Sequence, residues 1–335
     1  EYMEAHSEEL ERAVIVGGGL IGIEMAEMFH SRHIPVTLLV REPSYWNIVL
    51  PPEESAMVNR QIRENGIDLR LSTELKEIVD DGTGRACAII TSQGERIDCG
   101  YVGLTAGVHP NVDFLKGSDL DIGRGIRVDR FLQTNIPGVY AAGDCVEVVD
   151  PKPGRRPVEA VWYVGRIMGE TAAYNLCDRP VEYDPGIWFN SAKFIDIEYQ
   201  VYGQVQADPP AHHQSLYWEH PDGKKSIRLV YDTESREVLG FNLMGVRYRQ
   251  EVCEKWIREG TPVEEVLQHL GLANFDPEFY DEYEAAVVEQ YNRQTGRNLA
   301  LKQRRGLTPV IRFLRNTFTR SGEAADRRRV DIEQN

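Results

Sequence analysis

The chain is 335 residues long, more than one typical domain, so two or three cores are expected. Its formal net charge of −15 argues against a nucleic-acid partner, because a phosphate backbone is held by a basic surface. No apolar run approaches the roughly 20 residues of a membrane span; five scattered cysteines without a CxxC pair or metal-ligand spacing fit a reducing, cytoplasmic setting with no metal site.

The first element is a short apolar strand, Ala13 to Val16, which runs directly into Gly17-Gly18-Gly19-Leu20-Ile21-Gly22. A helix follows (Ile23 to Phe29), then a second strand from Pro35 to Val40. Gly17, Gly19 and Gly22 form GxGxxG in strand–loop–helix context. The first glycine permits the tight turn, the second lets backbone approach a pyrophosphate, and the third lets helix and strand pack closely. The anion then sits at a helix amino terminus, where free N–H groups favour it.

The string GGGLIGIEMAE resembles the nicotinamide-nucleotide loop of the FAD-dependent pyridine nucleotide-disulfide oxidoreductases. The resemblance implies that Gly17, Gly19, Leu20, Ile21 and Gly22 hold NAD(P)H and that Glu24 lies near the nicotinamide carboxamide. Leu20 falls where relatives often carry a Tyr that covers the flavin, a departure from the family pattern. An NAD site usually has a carboxylate at the end of the second strand; this chain has Val40, Arg41 and Glu42 there. The Val-Arg ending resembles NADPH-using members, in which the arginine reads the 2′-phosphate, so NADPH is expected through Arg41. NADH is the alternative, with Glu42 in the acidic role.

Residues 45–55 read as a turn with exposed aromatics, followed by a helix from Ala56 to Asn65 and a strand from Ile67 to Leu71. Ala86–Thr91 and Arg96–Cys99 read as a hairpin, and Tyr101–Leu104 as a buried strand. The segment Thr105 to Asn111 resembles the family's ATGxxPN crossover, which implies that Gly107 approaches the cofactors. His109 beside it is read as a bystander in preference to a catalytic base.

Further on, QTNIPGVYAAGDC reads as a Pro-Gly turn, an apolar strand from Val139 to Ala142, and Gly143-Asp144 at the sheet's carboxyl edge. It resembles the second FAD motif of the same family, in which the aspartate binds the flavin ribityl chain; this assigns Gly143 and Asp144. An amphipathic helix from Val158 to Asn175 follows. By the same resemblance its amino end, with Glu159, Ala160, Val161 and Trp162, faces the flavin pyrimidine ring and stabilises negative charge there; interdomain core is the alternative role for Trp162. The family's first FAD loop and its redox cysteines precede this part, so the chain is expected to be a carboxyl-terminal portion that does not retain FAD tightly by itself. No catalytic residue is assigned.

Trp188 to Val205 alternates like one half-buried strand, and Ser226–Asp232 with Val238–Gly245 reads as a hairpin. This region resembles the family's interface domain, without the His-Pro-Thr-x-x-Glu string that disulfide reductases place there, so a structural or homodimerising role is expected. Helices are expected at Gln250–Glu259, Val263–Leu270 and near Pro277–Asn292. From Ala300 to Asn335 nine Arg or Lys stand against four Asp or Glu. This is the pattern of a basic amphipathic helix that docks on an anionic membrane, on a partner or on its own protein.

The expected fold is α/β: a Rossmann-like dinucleotide-binding domain (1–108) inserted in a partial FAD-binding domain (109–184), then an α+β interface domain (185–272) and a helical tail (273–335). The expected function is a flavin-dependent oxidoreductase passing hydride from NAD(P)H to FAD and electrons to a disulfide, quinone, iron–sulfur protein or oxygen. A flavin relay subunit and a nucleotide-sensing flavoprotein with little turnover are the alternatives.

Overall fold

The computed structural model describes residues 10–276 and 279–302. The described chain divides into two compact units, one through Val263 and one from Glu264.

The first unit begins with β1 (Ala13–Val16), α1 (Leu20–His30), β2 (Val36–Leu39), α2 (Pro52–Glu64) and β3 (Asp68–Arg70). With β7 (Tyr101–Leu104) these strands form a parallel sheet in the order β3-β2-β1-β7. Val14 sits between Thr37 and Val102 in register. The β2 string VTLL is buried at all four positions, as a parallel strand covered on both faces requires. α2 opens with Pro52 and carries Glu53 and Glu54 in its first turn, where a proline costs no hydrogen bond and acidic groups meet the positive helix end. Between β3 and β7 lies an antiparallel sheet of β4 (Leu75–Asp80), β5 (Ala86–Thr91) and β6 (Arg96–Asp98). The hairpin β5–β6 matches the sequence reading. β4 has no apolar alternation and could not be read from the sequence.

Two segments differ from expectation around the Gly-Asp motif. Residues 139–142 form no strand; Tyr140 makes one isolated bridge to Gln133. The strand instead follows the motif: β9 (Val146–Val148) pairs in parallel with β8 (Ile126–Val128). A strand exists only where a neighbour takes its hydrogen bonds, and here the neighbour is opposite Val146. The next helix, α3, spans Trp162–Leu176 and starts four residues later than expected. Glu159 is diverted from it into a buried ion pair with Arg155, 2.5 Å at its shortest, and also accepts the Arg156 N–H. Val161 is consequently extended and forms the helix cap.

Beyond it, five antiparallel strands are ordered β10 (Phe189–Phe194), β11 (Ile197–Gly203), β14 (Val238–Met244), β13 (Ser226–Asp232) and β12 (His213–Glu219). The single strand expected over 188–205 is a hairpin. It turns at Ile195, whose φ of 58° is a conformation that a β-branched residue rarely adopts and that leaves no sequence signal. α4 (Gln250–Arg258) packs on β11 and β14.

The sheet and the parallel layer share a core in which Ile23, Phe29, Met57 and Ile62 join Phe194, Tyr199, Val201 and Met244. A buried ion pair reinforces this junction. Arg228 on β13 donates to both oxygens of Glu54 on α2 (2.7 and 2.8 Å) and to Glu53 (2.7 Å), and Asn242 donates to Glu54 at 3.1 Å.

The second unit holds most of α5 (Val263–Gln268) and all of α6 (Glu284–Thr295), the latter in place of the helix expected from Pro277. α6 ends at Gly296, which takes the left-handed conformation of a helix C-cap. No described helix is long and apolar enough to cross a membrane. The basic tail expected to form a docking helix lies, from residue 303 on, outside the described residues.

Candidate functional site

The parallel sheet changes direction at β1: the chain goes from β1 outward to β2 and β3, and returns on the other side as β7. Ligands of open α/β sheets bind beyond the strands' carboxyl ends at such a point. Gly17–Gly19 leave β1 there, and Thr105–Gly107 leave β7.

The loop is closed by backbone. Gly17 N–H donates to Leu39 O (2.9 Å), and Thr105 N–H and Oγ1 donate to Val16 O (2.8 and 3.0 Å). Gly17 has a φ of 134°, and a Cβ there would collide with the Thr105 carbonyl; one on Gly22 would collide with the Gly17 carbonyl. Gly19 is the opposite case, with no atom within 4 Å of its would-be Cβ. It is the N-cap of α1, no side chain caps that helix, and the first-turn N–H groups therefore have no intrahelical partner.

Gly17, Gly18, Gly19, Arg41, Glu42, Glu74, Thr105 and Gly107 line one cleft of about 360 Å³. Of the residues singled out from sequence, this cleft unites Gly17, Gly19, Arg41 and Gly107. Leu20, Ile21, Gly22 and Glu24 follow on the first turns of α1: Leu20 packs against the core, Gly22 is buried, and Ile21 and Glu24 are exposed. Arg41 is largely exposed and pairs with Glu42 at 2.9 Å. That hydrogen bond and the charge of Glu42 hold the guanidinium above its usual range. Glu74 places a second carboxylate on the same cleft. His109 is exposed on the loop after β7.

A separate, open cleft of about 410 Å³ is lined by Ala142, Gly143, Asp144, Trp162, Gly165 and Arg166. Gly143 has a φ of 94° and space on its open side, while a Cβ on Gly165 would rest 3.6 Å from its Cα. The first turn of α3 thus packs closely on the Gly-Asp loop. This helix too has no side-chain cap. Val161 is its half-buried cap residue and Ala160 is exposed just before it. Trp162 is 69% exposed, with the Arg166 guanidinium 5.9 Å from its ring centre; it lies in this cleft and not in a core. The two clefts have no lining residue in common.

The model of the family described as pyridine nucleotide-disulphide oxidoreductase matches residues 2–168, which span both glycine motifs. The chain belongs to that family. Among curated family relatives, the ferredoxin–NAD(+) reductase component of the p-cumate 2,3-dioxygenase system of Pseudomonas putida is 27% identical over 269 residues, 78% of this chain and 62% of the relative. The CoA-dependent NAD(P)H sulfur oxidoreductase of Pyrococcus abyssi is 28% identical over 259 residues, 73% of this chain and 56% of the relative. The chain thus spans little more than half the length of these relatives. An NAD-dependent persulfide reductase from A. fulgidus superimposes with a TM-score of 0.73 at 21% identity, covering 88% of this chain and 57% of its own. That likeness shows the expected α/β fold, with its parallel sheet and its five-stranded antiparallel sheet.

The pyridine nucleotide-disulphide oxidoreductase motifs were visible in sequence, but Tyr45 was not. Read as one of several exposed aromatics, it is fully buried, and its hydroxyl donates to Gly19 O at 2.5 Å. Trp46 is half-buried against Phe194 and Tyr199. A single aromatic in a loop has no period to mark its burial. Glu74, which completes the first cleft, likewise carries no motif, and Thr105 lies in the crossover segment without having been singled out as a site residue.

Proposed function

We propose that this protein is a flavin-dependent oxidoreductase that uses NAD(P)H, with the nucleotide in the cleft of Gly17, Gly19, Arg41 and Gly107 and the flavin against Gly143, Asp144 and the start of α3. The observation that carries this reading is the pair of uncapped helix amino termini, each fronted by a glycine whose missing side chain leaves open space. A Cβ on Gly19 would meet no atom within 4 Å, so a pyrophosphate has room to reach the N–H groups of Leu20 and Ile21. The residues present therefore fit a dinucleotide.

Flavin, when bound, supplies the hydride-accepting and electron-passing chemistry. The chain's part is to bind and to tune. Asp144, which lines the second cleft, is proposed to accept hydrogen bonds from hydroxyl groups there. The N–H groups at Trp162 and Tyr163 present the positive end of α3, which favours electron-rich groups there. Ala160 and Val161 set the approach to that end, and Trp162 walls the cleft. In the first cleft Leu20, Ile21 and Gly22 supply the first turn, and Glu24 is proposed to bind the nicotinamide carboxamide.

For the nucleotide, Arg41 is proposed to bind a 2′-phosphate, favouring NADPH. Its pairing with Glu42 competes with that role, so the preference is expected to be modest. The named relatives differ in acceptor, a ferredoxin in one and a sulfur compound in the other; the half-reaction proposed here is the one from nucleotide to flavin, with electrons leaving to a disulfide, quinone, iron–sulfur protein or oxygen. Five free cysteines fit a cytoplasmic location, and the antiparallel sheet is proposed to serve a homodimer. Anaerobic stopped-flow mixing of the full-length protein with NADPH or NADH tests the proposal. Rapid bleaching of the flavin band is expected; no bleaching with either nucleotide would overturn it.

A further inference from the structure

The carbonyl of Gly19, at the start of α1, is held by a side chain outside any motif, the Tyr45 hydroxyl. Building on the nucleotide reading of the first cleft, we infer that Tyr45 is a positioning residue: it fixes the Gly19–Leu20 peptide so that the Leu20 N–H faces the pyrophosphate.

A trans peptide is planar, with its C=O and N–H pointing in opposite directions. Whatever holds the Gly19 carbonyl therefore aims the Leu20 N–H. Two groups hold it: the Ile23 N–H of the helix at 3.3 Å, the long end of the range, and the Tyr45 hydroxyl at 2.5 Å. Gly19 has no side chain to restrict its own rotation, so the stronger hydrogen bond sets the orientation.

Tyr45 is itself rigid. Its ring is fully buried, edge-on to Phe194 at 6.4 Å between centres. Its N–H donates to Asn59 Oδ1 (3.0 Å) and its carbonyl accepts from Ser55 Oγ (2.6 Å), so α2 grips the residue from both sides. Asn59 also donates to Ser44 Oγ at 2.7 Å. Burial pushes the phenol's titration far above neutrality, so the hydroxyl remains a donor across the working pH range. The hydroxyl is thus delivered by a preorganised support to the Gly19–Leu20 peptide at the start of α1.

The test is Tyr45→Phe, which keeps the ring and removes only the donor. Isothermal titration with ADP-ribose, which carries the pyrophosphate without the nicotinamide, reads the loop independently of flavin. The expected Kd rises about 3- to 10-fold, the equivalent of one hydrogen bond. In the full-length protein KM for the nucleotide rises by a similar factor while kcat stays within about twofold. Amide exchange at Leu20 to Gly22 accelerates. Should Tyr45→Phe fail to fold, Asn59→Ala, which leaves the hydroxyl but loosens its support, is expected to raise Kd by about 2- to 5-fold. A lower melting temperature with unchanged Kd and KM, in whichever variant folds, would show a merely structural hydroxyl and overturn the inference. If the wild-type chain does not bind ADP-ribose, the nucleotide reading falls and this inference with it.

Discussion

Two neighbouring glycines should fail in different ways when replaced by alanine. Gly17→Ala places a Cβ against the Thr105 carbonyl at a φ of 134°, a conformation L-residues rarely adopt. Backbone strain of roughly 1–3 kcal/mol adds to an overpacking cost of about 1–3 kcal/mol, so a stability loss of about 2–6 kcal/mol is expected. Gly19→Ala has neither problem: its φ is −109° and its Cβ meets nothing. Alanine is a poorer N-cap than glycine by about 1 kcal/mol or less, so the fold should survive nearly unchanged. The new methyl would instead stand where a pyrophosphate approaches the Leu20 N–H, and nucleotide affinity should fall about tenfold or more, a penalty of about 1.4 kcal/mol at least. Chemical denaturation and ADP-ribose titration on both variants separate the effects. Full nucleotide affinity in Gly19→Ala would refute the cradle; unchanged stability in Gly17→Ala would refute the tight loop closure.

Four further outcomes follow from the geometry. Arg41→Ala should lower kcat/KM for NADPH about tenfold more than for NADH, as a charge-assisted contact to a 2′-phosphate implies; equal losses with both would remove Arg41 from specificity, and Glu42→Gln should shift preference towards NADPH by freeing the guanidinium. Arg228→Met strands a Glu54 carboxylate that is completely buried and should cost about 3–5 kcal/mol in denaturant unfolding, much of it recovered by adding Glu54→Gln; a loss under about 1 kcal/mol would contradict the buried-pair account. Burial raises the titration of Cys99 and Cys253, so a thiol reagent should label the exposed Cys177 rapidly in the native protein and those two only after unfolding. Rapid native labelling of Cys253 would place it outside the core.

What the sequence revealed follows from how local each signal is. The glycine loop was legible because its turn, its approach surface and its helix contact all fall within six residues of a buried strand. The Gly-Asp motif was legible as a motif, but its strand was not: β8 and β9 are three residues each, too short for a period, and pair across 20 residues of chain. The start of α3 was misread because Glu159 resembles a first-turn acid while its carboxylate is engaged by Arg155. The turn at Ile195 and the burial of Tyr45 depend on tertiary packing, which overrides local preference.

The most direct measurement is amide chemical-shift mapping of the chain titrated with ADP-ribose. The account predicts that the largest changes fall on Gly17 to Gly22 and on Thr105 to Gly107, with Gly143 to Tyr163 little affected. Changes centred elsewhere, or none in the glycine loop at saturating ligand, would contradict it.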